Sequence, residues 1–201
     1  MTDDPEPTLA AAEASLLKAL ALSPNHAPAH STMGYLLCRS NRAPRAIEHL
    51  ERALMIDPNR ANAHDLLGYA QIFIGRAEET EAHVMEVLRL SPRDAWLQSW
   101  FLHAGTAKTF LGQFEEALPW LRKSIDANRN MPWAYFYLAA CLAHLGRLEE
   151  ARREVKAGLA VDPKFSLRRF RSLDESDNAV FLVQRERLRE GMRKAGVPEG
   201  E

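Results

Sequence analysis

Residues 132–165 read PWAYFYLAACLAHLGRLEEARREVKAGLAVDPKF, and this stretch decides the fold. It contains two apolar stripes with the i, i+3, i+4, i+7 spacing of amphipathic helices. The first stripe is Tyr135, Leu138, Ala139 and Leu142, and the second is Leu148, Ala151, Val155 and Leu159. Gly146 lies between the stripes, where a glycine typically ends a helix. Pro163 follows the second stripe and marks the break before the next element. The stretch therefore predicts a helix, a tight turn and a second helix.

The same unit recurs along the chain. Prolines in similar contexts stand at Pro24, Pro58, Pro92 and Pro163, and the first three are 34 residues apart. The glycines that end the first helices are Gly75, Gly112 and Gly146, with spacings of 37 and 34 residues. The longer spacing indicates a three-residue insertion between Pro92 and Phe101. Arg129 occupies the place where a further proline is expected.

These residues resemble the tetratricopeptide repeat family, whose pattern combines large residues, Leu-Gly, Ala, an aromatic and Pro. The first unit matches it at His30, Met33-Gly34, Leu37, Ala46, Leu50 and Pro58. The third unit matches it at Phe101, Ala104-Gly105, Ala117 and Leu121. Four units cover about 27–60, 61–97, 98–131 and 132–165. The resemblance implies an all-α fold, a right-handed α-solenoid of helix–turn–helix repeats.

Small residues are predicted to lie where the paired helices approach closely. Gly34, Gly68 and Gly105 stand on the first helices, and alanines stand opposite them on the second helices. A large side chain at these positions would force the helices apart. Thr80 replaces the alanine in the second unit, so we expect a looser contact there.

We divide the chain into three parts. Residues 1–26 form an acidic N-terminus and a partial repeat of one helix, residues 27–165 form four tetratricopeptide repeats, and residues 166–201 form a C-terminal capping helix and tail. Ala12 and Leu16 are in phase with the second helices of the full units, so the first part looks like a second helix without its first. Two explanations stay open: a chain cut from a longer protein, or a natural chain that starts at a half repeat.

The C-terminal part carries a predicted helix. Asp177 is the expected N-cap, and Phe181, Leu188 and Met192 form its apolar stripe. Its mild excess of basic residues fits either an acidic partner or a solvated capping face. Residues 190–199 resemble the ends of bacterial regulatory proteins in which a tetratricopeptide array follows a class III adenylate/guanylate cyclase domain or a winged-helix DNA-binding domain. Neither domain is present in these residues.

Composition narrows the function classes. Lys and Arg total 26 and Asp and Glu total 27, so the net charge of −1 gives no reason to expect nucleic-acid or membrane-surface binding. Cys38 and Cys141 form neither a disulfide framework nor a four-ligand zinc site, and they are expected as buried thiols in a reducing cytoplasm. The acidic N-terminus lacks the features of a secretory signal. These observations predict a cytoplasmic protein.

Catalytic motifs are absent from the sequence. It contains no His-Glu-x-x-His, Gly-x-Ser-x-Gly or Gly-x-Gly-x-x-Gly pattern. His26 and His30 are four residues apart, but Pro28 lies between them and no third ligand is near. We therefore predict a protein that is not an enzyme and that needs no metal or cofactor.

Function is sought on the concave groove that the first helices line in such arrays. The helical phase opposite the small residues turns ten side chains toward it. They are Tyr35, Arg39, Asp65, Tyr69, Phe73, Phe110, Trp133, Phe136, Tyr137 and His144. Aromatic side chains suit peptide recognition because they combine a large area with a few polar tips. The alternative is that some of these aromatics pack between repeats or against the C-terminal helix.

Two functions follow from this sequence. The first is a scaffold that binds a peptide or protein segment in the groove, as the regulatory module of a larger bacterial signalling protein. The second is a homo-oligomerisation module, such as a homodimer, that pairs upstream cyclase or DNA-binding domains. The Lys and Asn residues with which chaperone-binding tetratricopeptide domains hold a C-terminal carboxylate are missing at the matching positions.

Overall fold

The computed structural model describes residues 5–171 and 176–200, and these ranges contain helices and no strand. The helices are α1 (Pro5–Leu22), α2 (Ala27–Arg39), α3 (Ala43–Ile56), α4 (Ala61–Phe73), α5 (Thr80–Leu90), α6 (Leu97–Phe110), α7 (Phe114–Ala127), α8 (Pro132–His144), α9 (Leu148–Val161), α10 (Leu167–Arg171) and α11 (Ala179–Ala195). A single turn of 3-10 helix, Ala77–Glu79, precedes α5. The predicted all-α class is confirmed.

The helices are arranged as consecutive hairpins. α2 packs on α3, α4 on α5, α6 on α7 and α8 on α9, and each hairpin also packs on the next one in the chain. α1 adds a single helix before the first hairpin and packs on α2. The result is a helical-repeat solenoid, in which each unit contacts mainly its neighbours.

The turn inside each hairpin needs one residue with a positive φ. Gly75, Gly112 and Gly146 have φ values of 78°, 76° and 75° at this position. In the first hairpin Asn41 takes the position with a φ of 53°, because asparagine tolerates the left-handed region better than most other residues. This substitution explains why the glycine series begins only in the second repeat.

The predicted close approach of the paired helices is observed. A Cβ added at Gly34 would lie 2.5 Å from Leu50 Cγ, and one at Gly105 would lie 2.6 Å from Leu121 Cδ2. The contact is looser in the second repeat, where a Cβ at Gly68 would lie 3.1 Å from the nearest atom. Thr80 is buried there, and its hydroxyl donates a 2.8 Å hydrogen bond to the carbonyl oxygen of Gly68.

The junction between the second and third repeats is the smallest in the array. α5 and α6 contact each other less extensively than the helices at the neighbouring junctions do. A separate small core lies there, made of Val84, Val87, Trp100 and Ala104. The predicted three-residue insertion falls in the loop between α5 and α6, so the longer connection coincides with this weaker contact.

α11 lies along the array and packs mainly against α8, with further contacts to α6 and α9. Its N-cap is Asn178, whose side-chain oxygen accepts hydrogen bonds from the backbone N–H groups of Val180 and Phe181. The predicted N-cap, Asp177, was therefore wrong by one residue. Both residue types cap helices well, and sequence alone does not separate two adjacent candidates.

Candidate functional site: a partly filled groove

The concave surface is formed by the first helices of the repeats, and α11 fills its C-terminal half. The ring of Phe181 lies between Phe73 at the end of α4 and Phe110 at the end of α6, with centroid distances of 5.4 and 5.7 Å. Ser176, just before α11, donates a 2.6 Å hydrogen bond to the carbonyl oxygen of Phe73. The start of α11 therefore bridges the second and third repeats.

Farther along, α11 approaches α8 very closely. A Cβ at Gly191 would lie 2.7 Å from His144 Cδ2 and 2.8 Å from the carbonyl oxygen of Ala140, so only glycine fits at this crossing. The Nε2 atom of His144 hydrogen-bonds to the carbonyl oxygen of Arg187 at 2.8 Å. Its ring also stacks on Phe114 with centroids 4.4 Å apart. His144, one of the predicted groove residues, therefore holds the chain's own helix α11.

Four of the predicted groove residues are core. Phe73, Phe110, Phe136 and Tyr137 are 5%, 1%, 0% and 6% exposed, so their expected exposure in the groove is wrong, although Phe73, Phe110 and Tyr137 line a cavity beside α11. The physical reason is that α11 and the segment around α10 cover the ends of α4, α6 and α8. Apolar side chains on the concave face gain more from this burial than from contact with water.

Phe136 and Trp133 illustrate how the last repeat is closed. Phe136 stacks on Phe165, which follows α9, with centroids 3.7 Å apart and ring planes 9° from parallel. Trp133 is half-buried and meets Phe165 edge-on at 5.5 Å. Phe170 of α10 completes the cluster, so these aromatics seal the end of the solenoid.

The N-terminal half of the groove is open. Four predicted residues line it: Tyr35 and Arg39 are exposed, and Asp65 and Tyr69 are half-buried. Tyr35 is 51% exposed, a large fraction for an aromatic side chain that faces a concavity. These four side chains come from α2 and α4, and α11 contacts α4 at its C-terminal end, at Phe73.

Two further groove residues were not among the predicted ones. The Nδ1 atom of His103, on α6, lies within hydrogen-bond distance of Asp65 Oδ1, at 2.7 Å, and the His103 ring stacks on Tyr69 with centroids 4.5 Å apart. Trp96 is 64% exposed and lies in the loop that contains the insertion. The sequence feature that could have identified this residue is a tryptophan within the inserted segment.

The open half contains two adjoining cavities. The larger, about 750 Å³, lies between α2, α4 and the loop before α6, and Tyr35, Asp65, Trp96 and His103 line it. The smaller, about 350 Å³, lies where the open half meets α11. Its lining includes Tyr69, His103, Thr106, Trp133, Tyr137 and Arg185. The mixture of aromatic walls and a few polar groups is typical of a recognition site.

Arg185 brings positive charge to the inner cavity. Its Nη1 atom donates a 3.0 Å hydrogen bond to the hydroxyl of Tyr137, and its guanidinium lies 3.7 Å from the centroid of the Phe170 ring. A buried arginine needs such partners, because an unpaired charge away from water is costly. Arg185 therefore links α11 to both α8 and α10.

The first helix of the fourth repeat holds a buried thiol, Cys141. Burial raises the pKa of the Cys141 thiol to about 12, so it stays protonated at neutral pH. Within residues 5–171 and 176–200, no group of three or more His, Cys, Asp or Glu side chains is arranged to hold a metal ion. In the same ranges, the helices are all too short or too polar to cross a membrane.

Comparison with known proteins places this fold. The sequence profile of the tetratricopeptide repeat family matches residues 8–72 and 111–173, together more than half of the chain. The chain belongs to the tetratricopeptide repeat family. Proteins of this family are generally non-catalytic scaffolds for protein–protein interaction. The segment between the two matched ranges, 73–110, holds α5 of the second repeat, the insertion and α6 of the third repeat.

Individual proteins agree with this assignment. An uncharacterized protein of Methanocaldococcus jannaschii is 39% identical over 64 residues, which is 32% of this chain and 74% of that protein. The crystal structure of YrrB, described as a tetratricopeptide protein with an unusual peptide-binding site, is 26% identical, with a TM-score of 0.61 over 90% of each chain. Pseudomonas aeruginosa pilF, at 20% identity and a TM-score of 0.69 over 91% of this chain and 85% of its own, shares the fold.

Proposed function

We propose that this protein is a scaffold that binds a segment of a partner protein in the open N-terminal half of its groove. One observation carries the proposal: α11 covers the concave face of α6 and α8, while Tyr35 and Trp96 stay exposed beside a cavity of about 750 Å³. Large exposed aromatics around a concavity are unusual on a surface that only contacts water.

The chemistry of the open half supports a peptide with mixed character. Tyr35 and Trp96 offer flat apolar surfaces, and the Asp65–His103 pair offers polar groups between them. A neighbouring structure, YrrB, is described as having a peptide-binding site, which supports the same class of ligand. We propose a cytoplasmic location, because Cys38 and Cys141 are free buried thiols. We propose a role as the interaction module of a bacterial signalling protein, because residues 190–199 resemble the ends of such proteins.

A selection experiment tests the proposal. A displayed library of random peptides is selected on the full chain, and the affinities of the winning peptides are measured for Tyr35→Ala and Trp96→Ala. Truncation of an aromatic hot spot costs about 2 kcal/mol or more, so we expect roughly 30-fold weaker binding.

The matched control is Met55→Ala, which removes another exposed apolar side chain, from the second helix of the first repeat. Its binding is expected to equal that of the wild type. Peptides that bind all three variants as tightly as the wild type would place the binding surface outside the groove.

The second candidate function, homo-oligomerisation, is favoured by the exposed face of α1. Ala12 and Ala19 are exposed, whereas Ala46 and Ala53, in phase with them on α3, are fully buried against a first helix. A second copy of the chain could cover this face. Light scattering tests this function. A molar mass that rises with concentration for the wild type, but remains that of a monomer for Ala12→Arg, supports self-association. A wild-type mass equal to that of the monomer at all concentrations excludes it.

A further inference from the structure

The connection between α5 and α6 differs from the other connections between repeats. At three of those, the residue directly after the second helix accepts a hydrogen bond, through its side-chain Oδ1, from the backbone N–H two residues further on. These residues are Asp57, Asn128 and Asp162. Between α5 and α6, Ser91 takes that place, and Asp94 within the inserted segment accepts a 3.0 Å hydrogen bond from the backbone N–H of Trp96. The insertion therefore supplies a carboxylate and an exposed tryptophan next to each other.

Both of these residues line the larger cavity of the open half. Trp96 is exposed and Asp94 is half-buried, so a ligand in the cavity can reach both side chains. The Oδ2 atom of Asp94 accepts a 3.3 Å hydrogen bond from the hydroxyl of Ser91. A carboxylate has about four acceptor positions, so the two hydrogen bonds leave room for a donor from a ligand.

Charge is distributed unevenly along the open half of the groove. The charged side chains that line the larger cavity in the described part of the chain are Arg39, Asp65 and Asp94. Asp65 is engaged by His103, whose Nδ1 atom lies 2.7 Å from its Oδ1. Arg39 also lines the smaller cavity together with Arg185, whereas Asp94 lines only the larger one. The arginines therefore stand toward α11, and the carboxylate of Asp94 marks the outer end of the groove.

We propose that the outer end of the groove binds a basic side chain of the partner segment, between the carboxylate of Asp94 and the indole of Trp96. This inference rests on the proposed groove function and names the chemistry of its ligand. The ammonium or guanidinium group donates a hydrogen bond to Asp94 and lies over the face of the indole. Aromatic faces attract cations because the ring carries negative charge there, and tryptophan does so most strongly.

Other ligand side chains fit the outer end less well. An acidic side chain would bring a second negative charge next to Asp94, and like charges repel. A purely apolar side chain would cover the Asp94 carboxylate without supplying a donor, and it is costly to remove a charge from water without a partner. A basic side chain avoids both costs, and its aliphatic stem packs on the aromatic surface.

Peptide selection followed by calorimetry tests the inference. Random peptides are selected on the full chain, and those that bind Tyr35→Ala and Trp96→Ala more weakly than the wild type are kept. We expect them to share a lysine or arginine at one position. One such peptide is synthesised with lysine there and again with norleucine, which keeps the aliphatic stem without the charge. The norleucine peptide should bind roughly 10-fold more weakly, since an ion pair and a cation–π contact at a partly exposed site each contribute a few-fold in affinity.

Asp94→Asn tests the carboxylate itself. Asparagine keeps an oxygen that accepts from the N–H of Trp96, so the turn should be retained. The variant should bind the lysine peptide about 2–5-fold more weakly and the norleucine peptide as tightly as the wild type does. The two changes together should then cost less than the sum of their separate effects. The matched control, Asp57→Asn, makes the same change at a turn that lines neither cavity and should leave both affinities unchanged.

The outcomes separate this inference from the groove function. Groove-dependent peptides without a shared basic residue, or equal affinity of the lysine and norleucine peptides for the wild type, would overturn the inference alone. An equal effect of norleucine on the wild type and on Asp94→Asn would also overturn it, because Asp94 would then not contact the charge. Selected peptides that bind Tyr35→Ala and Trp96→Ala as tightly as the wild type would overturn the groove function and this inference together.

Discussion

Three glycines on the first helices look alike in the sequence but differ in their surroundings. At Gly34 and Gly105 an added Cβ would meet a fully buried leucine at 2.5 or 2.6 Å, whereas at Gly68 the nearest atom is 3.1 Å away. Alanine is favoured over glycine in a helix by about 1 kcal/mol. The balance between this gain and the steric cost therefore changes from one repeat to the next.

We expect Gly34→Ala to lower the free energy of unfolding by about 1–3 kcal/mol, because the new Cβ would lie 2.5 Å from Cγ of the fully buried Leu50. Gly68→Ala should change it by less than about 1 kcal/mol, since the propensity gain offsets a mild contact. Urea denaturation of both variants measures the difference. Equal destabilisation would mean that the helices of the second repeat pack as tightly as those of the first.

At the scale of elements, α11 acts as a strap across the repeats. Its buried face includes Phe181, Leu188 and Met192, which contact the ends of α4 and α6 and the face of α8. The opposite face carries Val180, Leu182 and Val183, which are 39–64% exposed. The groove that α11 fills therefore explains its buried apolar stripe but not the exposed apolar residues of its opposite face.

Phe181→Ala is expected to cost about 3–5 kcal/mol, the range for loss of a buried phenylalanine. It should also loosen α11, because the ring fills the space between Phe73 and Phe110. Thermal unfolding and limited proteolysis after α10 report the two effects. The matched variant Val183→Ala, on the exposed face of the same helix, should change neither; a similar loss there would show that this face is also covered.

At the scale of the molecule, the repeats do not share one continuous core. Most buried residues of α2 and α3 and of the first part of α4 form one cluster, whereas Ala43, Ile72 and Phe73 belong to a larger one that extends through α6, α7, α8 and α11. A third, smaller cluster lies at the junction between α5 and α6, and α11 joins the second repeat to the third and fourth. In a solenoid, stability is approximately a sum of units and interfaces, so the two halves differ.

Native-state hydrogen exchange should reveal this difference. We expect amides of α2 and α3 to exchange through openings of lower free energy than amides of α6 to α9, because α11 adds no contact to the first repeat. In Phe181→Ala the protection of α6 and α8 should fall, while that of α2 and α3 stays as in the wild type. Uniform loss over all repeats would indicate a single cooperative unit.

Much of this fold follows from local pattern. The period of 34 residues, the glycines at the turns and the small residues at the helix contacts predicted the hairpins and their register. These features are predictive because each one involves contacts within one repeat or between neighbouring repeats. Over that range, the number of residues between two positions fixes the distance between them in space. The looser contact at Thr80 was predictable for the same reason.

The site was less predictable. Helical phase identified which side chains face the concave surface, and it separated Tyr35 and Arg39 from core positions on α2. Helical phase did not show that Tyr69 and Phe73 differ in burial. The two residues lie one turn apart on α4, and their rings meet edge-on with centroids 4.7 Å apart. Phe73 is buried and Tyr69 only half-buried, because the start of α11 contacts Phe73 through Phe181.

Residue spacing predicted the helices and their pairing within each repeat. The three-dimensional arrangement showed that α11 turns back into the groove, that Phe110 and Phe136 are buried, and that histidines pair across the hairpins. These two groups of features differ in the sequence distance over which their contacts act. Repeat spacing specifies contacts between neighbours, whereas the contact of residue 181 with residue 73 depends on how the whole array curves to receive one more helix.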